Sequence, residues 1–292
     1  MVNQFLAYLS YERNRSLATV SSYRKDLEAF QKFVQAQDST LLWADVDADL
    51  VRDWMAEMMN EGQRATSINR RLSALRSFYR FALARNLVKS DPVQGVVGPK
   101  KDKPLPQFLK EKEMDELLQE DFWTDCYEDV RDRMIIMTFY ETGIRLAELM
   151  NLCDGDVDFM SGQLKVTGKR NKQRLIPFGA ELSQALQHYM GVRDAQVVRH
   201  SAALFLANDG QQMTADAIRY RVKKHLSLVS TLKKRTPHVL RHTFATAMLN
   251  HKAGIESVKK LLGHESLSTT EIYTHTTFEQ LKREYLNAHP RA

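Results

Sequence analysis

The chain is 292 residues long and carries 42 lysines and arginines against 36 acids, a formal net charge of +6. That length holds one large or two ordinary domains, 43% hydrophobic residues suffice for real cores, and the basic balance attracts polyanions such as nucleic acid. No apolar run approaches membrane-spanning length, the first residues lack a signal-peptide core, and no glycine-rich Walker loop appears. Membrane insertion, secretion and ATP-driven chemistry are therefore not expected. Cys126 and Cys153 have no partners at zinc-finger spacing. A reducing cytoplasm fits them, and neither a metal site nor a cofactor is expected.

Residues 1–89 read as four helices. Phe5, Leu6 and Leu9 mark the first. Ser16 can cap the second, with Val20, Tyr23, Leu27, Phe30 and Val34 on one face. The third runs over 47–59 with Leu50, Val51, Trp54 and Met58 inward. The fourth starts near Thr66 and buries Ile68, Leu72, Leu75, Tyr79 and Ala82. Four one-faced helices make a small bundle. The opposite face of the fourth carries Asn69, Arg70, Ser73, Arg76 and Arg80 and is almost free of acids. A solvated charged face is one reading, and a helix lying along DNA is the other.

Residues 90–106 hold Pro92, Pro99, Pro104, Gly95, Gly98 and a lysine cluster, which describes a solvated linker. The second domain, 107–292, is mainly helical with a small antiparallel sheet. Helices are expected over 110–118, 130–142 (with Gly143 as stop), 145–152, 180–189, 214–229, 243–249, 255–261, 269–273 and 278–287. Two alternating runs, 163–167 and 174–178, flank a hairpin turn, Gly-Lys-Arg-Asn-Lys at 168–172.

Several residues of this domain suit chemistry on a phosphodiester. Arginine forks onto phosphate oxygens, histidine moves one proton, and tyrosine can attack phosphorus. Each candidate alone has a structural explanation. Arg145 could pair with Glu148, Lys169 could sit on a hairpin tip, His238 could be a satisfied core histidine, His264 a helix cap and Tyr273 core.

Their order changes that reading. Thr-Gly-Ile-Arg-Leu-Ala-Glu-Leu (142–149), Gly-Lys-Arg-Asn-Lys (168–172), Pro-His-Val-Leu-Arg-His-Thr-Phe-Ala-Thr (237–246) and Leu-Leu-Gly-His-Glu-Ser-Leu-Ser-Thr-Thr-Glu-Ile-Tyr-Thr-His (261–275) together resemble the tyrosine recombinase family. The resemblance extends over the whole chain, the N-terminal bundle matching that family's SAM-like core-binding domain, and the C-terminal residues point to the Xer branch. It implies Tyr273 as the nucleophile that forms a 3′-phosphotyrosyl bond and frees a 5′-hydroxyl. Arg145 and Arg241 would clamp the phosphate and stabilise its transition state without a metal ion. His238 would assist proton transfer from the tyrosine, His264 would bond a phosphate oxygen, and Lys169 would protonate the leaving oxygen. Glu148 would orient its surroundings, His242 would be packing support, and Arg170, where the family often has glycine, could touch a phosphate.

The resemblance further implies recombination of double-stranded DNA through a Holliday junction, by a tetramer on two DNA sites formed with itself or a second Xer-type recombinase. Chromosome dimer resolution at a dif-like site follows, with a DNA translocase of the cell-division machinery as a further partner. The tail helix is expected to dock on a neighbouring protomer. Competing readings are a mobile-element integrase, a type IB topoisomerase-like enzyme that relaxes DNA alone, and a non-catalytic DNA-binding protein that kept the fold. The start of the chain directly at the bundle favours the host-type enzyme, and the full set of reactive residues speaks against decay.

Overall fold

The computed structural model describes residues 1–101, 105–168, 171–263 and 278–292. It divides into two compact units, Met1–Pro104 and Leu105–Ala292, each with its own hydrophobic core.

The first unit is helical. Its helices are α1 (Val2–Ala7, running on into a π-helical turn, Tyr8–Glu12), α2 (Leu17–Gln37), α3 (Ala48–Asn60) and α4 (Ala65–Ala84). Ser16 Oγ caps α2 by accepting from Thr19 N at 3.3 Å, and Asp47 caps α3 through Leu50 N at 2.8 Å. Phe5, Leu27, Phe30, Val51, Leu72, Leu75, Phe78 and Tyr79 are fully buried between them. The π-helical turn was not legible in the sequence. Part of the expected linker also behaves otherwise. Val93 and Val96 are buried in the first unit's core, because two valines offset the cost of ordering a proline-rich segment.

The second unit contains α5 (Glu111–Leu118), α6 (Tyr127–Thr142), α7 (Leu146–Met150), β1 (Val157–Asp158), β2 (Gln163–Thr167), β3 (Gln173–Pro177), α8 (Ala180–Gln196), α9 (Ala215–Val229), α10 (Pro237–Asn250), α11 (Ile255–Leu262) and α12 (Phe278–Ala288). The sheet is antiparallel in the order β1-β2-β3, with Val166 opposite Arg174 and Thr167 opposite Gln173. The hairpin was expected and β1 was not, because two residues are too few for a period-two signal. Helix α6 runs through the middle, packed by α8, α9 and α10. It is buried almost all round from Met134 to Thr142, so its sequence lacks a polar face. Gly143 ends it in the left-handed conformation.

Four helices differ from expectation by more than one residue, α6 among them, which begins at Tyr127 rather than at 130. Helix α8 extends to Gln196 because Arg193, fully buried, pairs with Asp154 and Asp194 and so belongs inside. Helix α10 begins at Pro237, six residues before the expected start, since proline suits the first helical position. Helix α7 ends at Met150, short of 152. The helix expected over 269–273 lies outside the described residues.

The tail has a site on its own unit. Helix α12 packs against β3, α10 and α11. Tyr285, Ala288 and His289, at i, i+3 and i+4, are buried there. Phe278 and Leu281 are only half-buried and Leu286 is exposed. The buried stripe is therefore shifted toward the C-terminus, where a neutral histidine ring counts as apolar surface. Glu284 accepts from Gly254 N at 3.2 Å, Lys282 donates to the Ser161 carbonyl, and Arg291 pairs with Glu181 and Asp115.

Candidate active site

Arg145 stands between α6 and α7 as the N-cap of α7. Its backbone N–H donates to Glu148 Oε2 at 2.7 Å and its guanidinium to Oε1 at 2.9 Å. The pairing with Glu148 that the sequence allowed is thus real. It does not use up the arginine, whose other terminal nitrogen donates to the Gly263 carbonyl at 3.0 Å. Arg241 lies on the buried side of α10 and donates to the carbonyls of Gly143 at 2.5 Å and Leu262 at 2.6 Å. Arg174 on β3 donates to both oxygens of Glu148, at 2.7 and 2.9 Å, and through Nε to the Leu261 carbonyl at 2.9 Å.

Three successive carbonyls at the end of α11 are thus capped by three arginines: Leu261 by Arg174, Leu262 by Arg241, Gly263 by Arg145. These are the acceptors a helix end leaves unpaired, and cations suit the negative end of its dipole. Gly263 adopts φ +64°, and a Cβ there would stand 3.2 Å from Arg174 Cδ and Nε, so both the turn and the arginine packing call for glycine. Two of the expected catalytic residues follow in the chain. His264 and Tyr273 lie outside the described residues, as do Lys169 and Arg170 of the hairpin.

The electrostatics follow from the packing. Burial pushes the Arg241 guanidinium down, aided by the nearby Arg145 charge, to about 10, so it stays charged at neutral pH. Burial would raise the Glu148 carboxyl, but the hydrogen bonds from Arg174 and Arg145 outweigh it and hold it below the usual carboxylate range. His238 sits in the first turn of α10, one turn before Arg241. Burial lowers its pKa, and the charges of Arg241, His242, Arg145 and Arg219 lower it further. A neutral imidazole at the positive end of a helix, beside two fixed cations, can accept a proton while an anion binds there.

The structure therefore brings together Arg145, His238 and Arg241, with Glu148 beneath them. The sequence reading missed Arg174. Its one available signal was parity: Arg174 shares a strand face with buried Ile176, an inward-facing cation in need of a partner. Helix α9 exposes Arg219, Tyr220, Lys223 and Lys224.

The residues on α4 are more engaged than a free DNA-binding stripe. Arg70 pairs with Asp26 and Ser22, Ser73 donates to the Asn69 carbonyl, and Arg76 donates to the Val96 carbonyl at 2.7 Å. Asn69 donates to the carbonyls of Ala65 and Pro99 at 2.7 and 2.8 Å. Asn69 and Arg76 thereby hold the chain's own 96–99 segment, while Arg70, Ser73 and Arg80 are exposed. At Gly98 a Cβ would stand 2.4 Å from Asn69 Oδ1, so this clasp needs the close approach of a glycine.

Residues 107–280 match the phage integrase family, and residues 2–86 match the phage integrase N-terminal SAM-like domain. The chain belongs to the phage integrase family. A tyrosine recombinase XerC of Pelotomaculum thermopropionicum is 38% identical over 301 residues, covering 100% of this chain and 98% of the relative. A tyrosine recombinase XerC of Listeria monocytogenes is also 38% identical, covering 99% and 97%. Among solved structures, the XerH site-specific recombinase bound to its difH substrate aligns with a TM-score of 0.70 at 21% identity, covering 97% of this chain and 83% of that one. The tyrosine recombinase membership expected from the ordered motifs holds, as do the Xer branch and the two-part helical fold with its small antiparallel sheet. Among the described residues no helix is long and apolar enough to cross a membrane.

Proposed function

We propose that this recombinase cuts and rejoins double-stranded DNA at a specific site through a 3′-phosphotyrosyl intermediate and a Holliday junction, and that its task is resolving chromosome dimers at a dif-like site. One observation carries the chemical part. Arg145, Arg241 and a neutral His238 converge where α11 leads into the segment that holds His264 and Tyr273.

Tyr273 attacks the scissile phosphorus, and His238 accepts its proton. A phenol with a pKa of about 10 needs such help at neutral pH. Arg145 and Arg241 bind the non-bridging oxygens and stabilise the extra charge of the pentacoordinate transition state. Lys169 delivers a proton to the leaving 5′-oxygen, and His264 bonds a phosphate oxygen. The phosphotyrosyl ester keeps the bond energy, so attack by another strand's 5′-hydroxyl completes exchange without ATP or a metal ion. Exposed cations on α9, together with Arg70, Arg80 and Arg170, contact the DNA. Four protomers act on two sites, with a second recombinase of the same kind and a cell-division translocase as partners, in the cytoplasm. The XerC relatives favour this host role over a mobile-element integrase.

The test is covalent trapping on nicked site DNA. Wild-type protein should form a denaturation-resistant adduct that maps to Tyr273. Tyr273→Phe should bind the same DNA and form none. A persistent adduct in the Phe variant removes Tyr273 from the mechanism.

A further inference from the structure

Arg174 does more than fill the base of a hairpin. Its guanidinium grips both oxygens of Glu148, whose side chain is 3% exposed, and its Nε holds the Leu261 carbonyl. Glu148 in turn holds Arg145 by backbone and side chain. Gly168 also passes close by, since a Cβ there would stand 3.3 Å from Glu148 Oε1. One carboxylate therefore joins three pieces of chain: the hairpin, the turn that carries Arg145, and, through Arg174, the end of α11.

From this geometry we infer that Arg174 is a positioning residue for the strand-cleavage reaction, acting through Glu148 to aim the Arg145 guanidinium at the scissile phosphate. This rests on the function proposed above. A planar guanidinium is required. Only a fork can meet both carboxylate oxygens and still direct a third donor to Leu261, and lysine, though charged, offers a single point. Without the fork, Glu148 has a free oxygen to compete for Arg145, and Arg145 can swing toward it. A small misplacement of a group that acts in the transition state is enough to cost a large factor in rate.

The test compares Arg174→Lys with the wild type in single-turnover cleavage of nicked half-site DNA, with thermal unfolding and half-site binding measured alongside. Arg174→Lys should bind DNA normally and cleave more slowly, by on the order of 10²-fold. On a substrate whose scissile phosphate is a neutral methylphosphonate, the transition state carries less charge for Arg145 to stabilise, so the gap should shrink markedly. A 5′-bridging sulfur, which relieves only the leaving-group proton, should leave the gap in place. Equal defects on phosphate and methylphosphonate, wild-type cleavage, or rescue by sulfur overturns the inference. If the variant proves poorly folded, a cycle with Glu148→Gln decides at a temperature where all forms are folded. The two changes should be non-additive, and additivity overturns it. Arg145→Ala separates this from the parent reading. Full cleavage by Arg145→Ala defeats the proposed mechanism, whereas an inactive Arg145→Ala beside a fully active Arg174→Lys defeats only the role of Arg174.

Discussion

Among the described residues, Glu148 is the acid beside three guanidiniums, those of Arg145, Arg174 and Arg241. These four groups together carry a net positive charge, and Arg241 is only 7% exposed. An excess of buried cations is costly unless an anion is to be received, and backbone carbonyls offset part of that cost in the free protein. None of these groups supplies the proton for the leaving oxygen, since arginine does not release one at working pH. That leaves Lys169. Lys169→Ala should slow cleavage roughly 10²- to 10⁴-fold, the range for losing a general acid. A substrate with a 5′-bridging sulfur should largely restore the rate, because a thiolate leaves without a proton. Equal loss on both substrates would reassign Lys169 to phosphate binding.

Helix α12 shows how one element's docking depends on protonation. His289 Nε2 donates to the Tyr140 carbonyl at 3.3 Å, and its Nδ1 accepts from Arg291 N at 3.2 Å. That pattern suits only the neutral ring, which also stacks on Tyr285 and Phe244. Burial, with the nearby Arg291 and His251 charges, drives its pKa down from 6.5 to about 3. The unfolded or undocked tail binds a proton in that interval and the docked tail does not. Docking is thus fully supported above about pH 6.5 and is lost as pH falls toward 3, by at most about 1.4 kcal/mol per pH unit. Buried Glu141, facing Tyr285, Glu181 and Arg291, has the opposite sense. Burial raises its carboxyl well above the ordinary value, so its share is lost as pH rises above the carboxylate range. The protection factors of the amides in 278–289, taken relative to the slower intrinsic exchange in acid, should therefore fall on acidification, and His289→Phe should flatten that limb. An acid limb unchanged in the variant would show that another group controls the tail.

At the scale of the molecule, the net charge of +6 and the exposed cations describe binding dominated by phosphate contacts. The logarithm of the binding constant should fall linearly with that of salt, by about 0.9 for each phosphate neutralised. Arg80 is exposed on α4. If it contacts the backbone, Arg80→Ala should reduce that slope by about one while leaving the preference among sequences intact. Arg76→Ala should act differently, through stability, because Arg76 holds the Val96 carbonyl. Slopes and melting curves measured together on both variants separate the two. An Arg80→Ala slope equal to the wild type removes that arginine from the interface.

The sequence by itself determined the family, the helical bundle, the hairpin and the candidates Arg145, His238 and Arg241, because ordered motifs and helical periodicity are local properties of the chain. Helix ends were also legible where a local signal marked them, as at Ser16 and Gly143. Only the tertiary structure decided what those residues touch. Arg174 meets Glu148 across 26 positions and Arg241 meets Leu262 across 21, separations at which no periodicity couples them. The same holds for α4, where Asn69 and Arg76 turned to the chain's own carbonyls, and for α12, whose stripe found its groove on its own unit. In each case an unpaired buried acceptor or an apolar groove, set by packing and invisible in any short window, chose the partner.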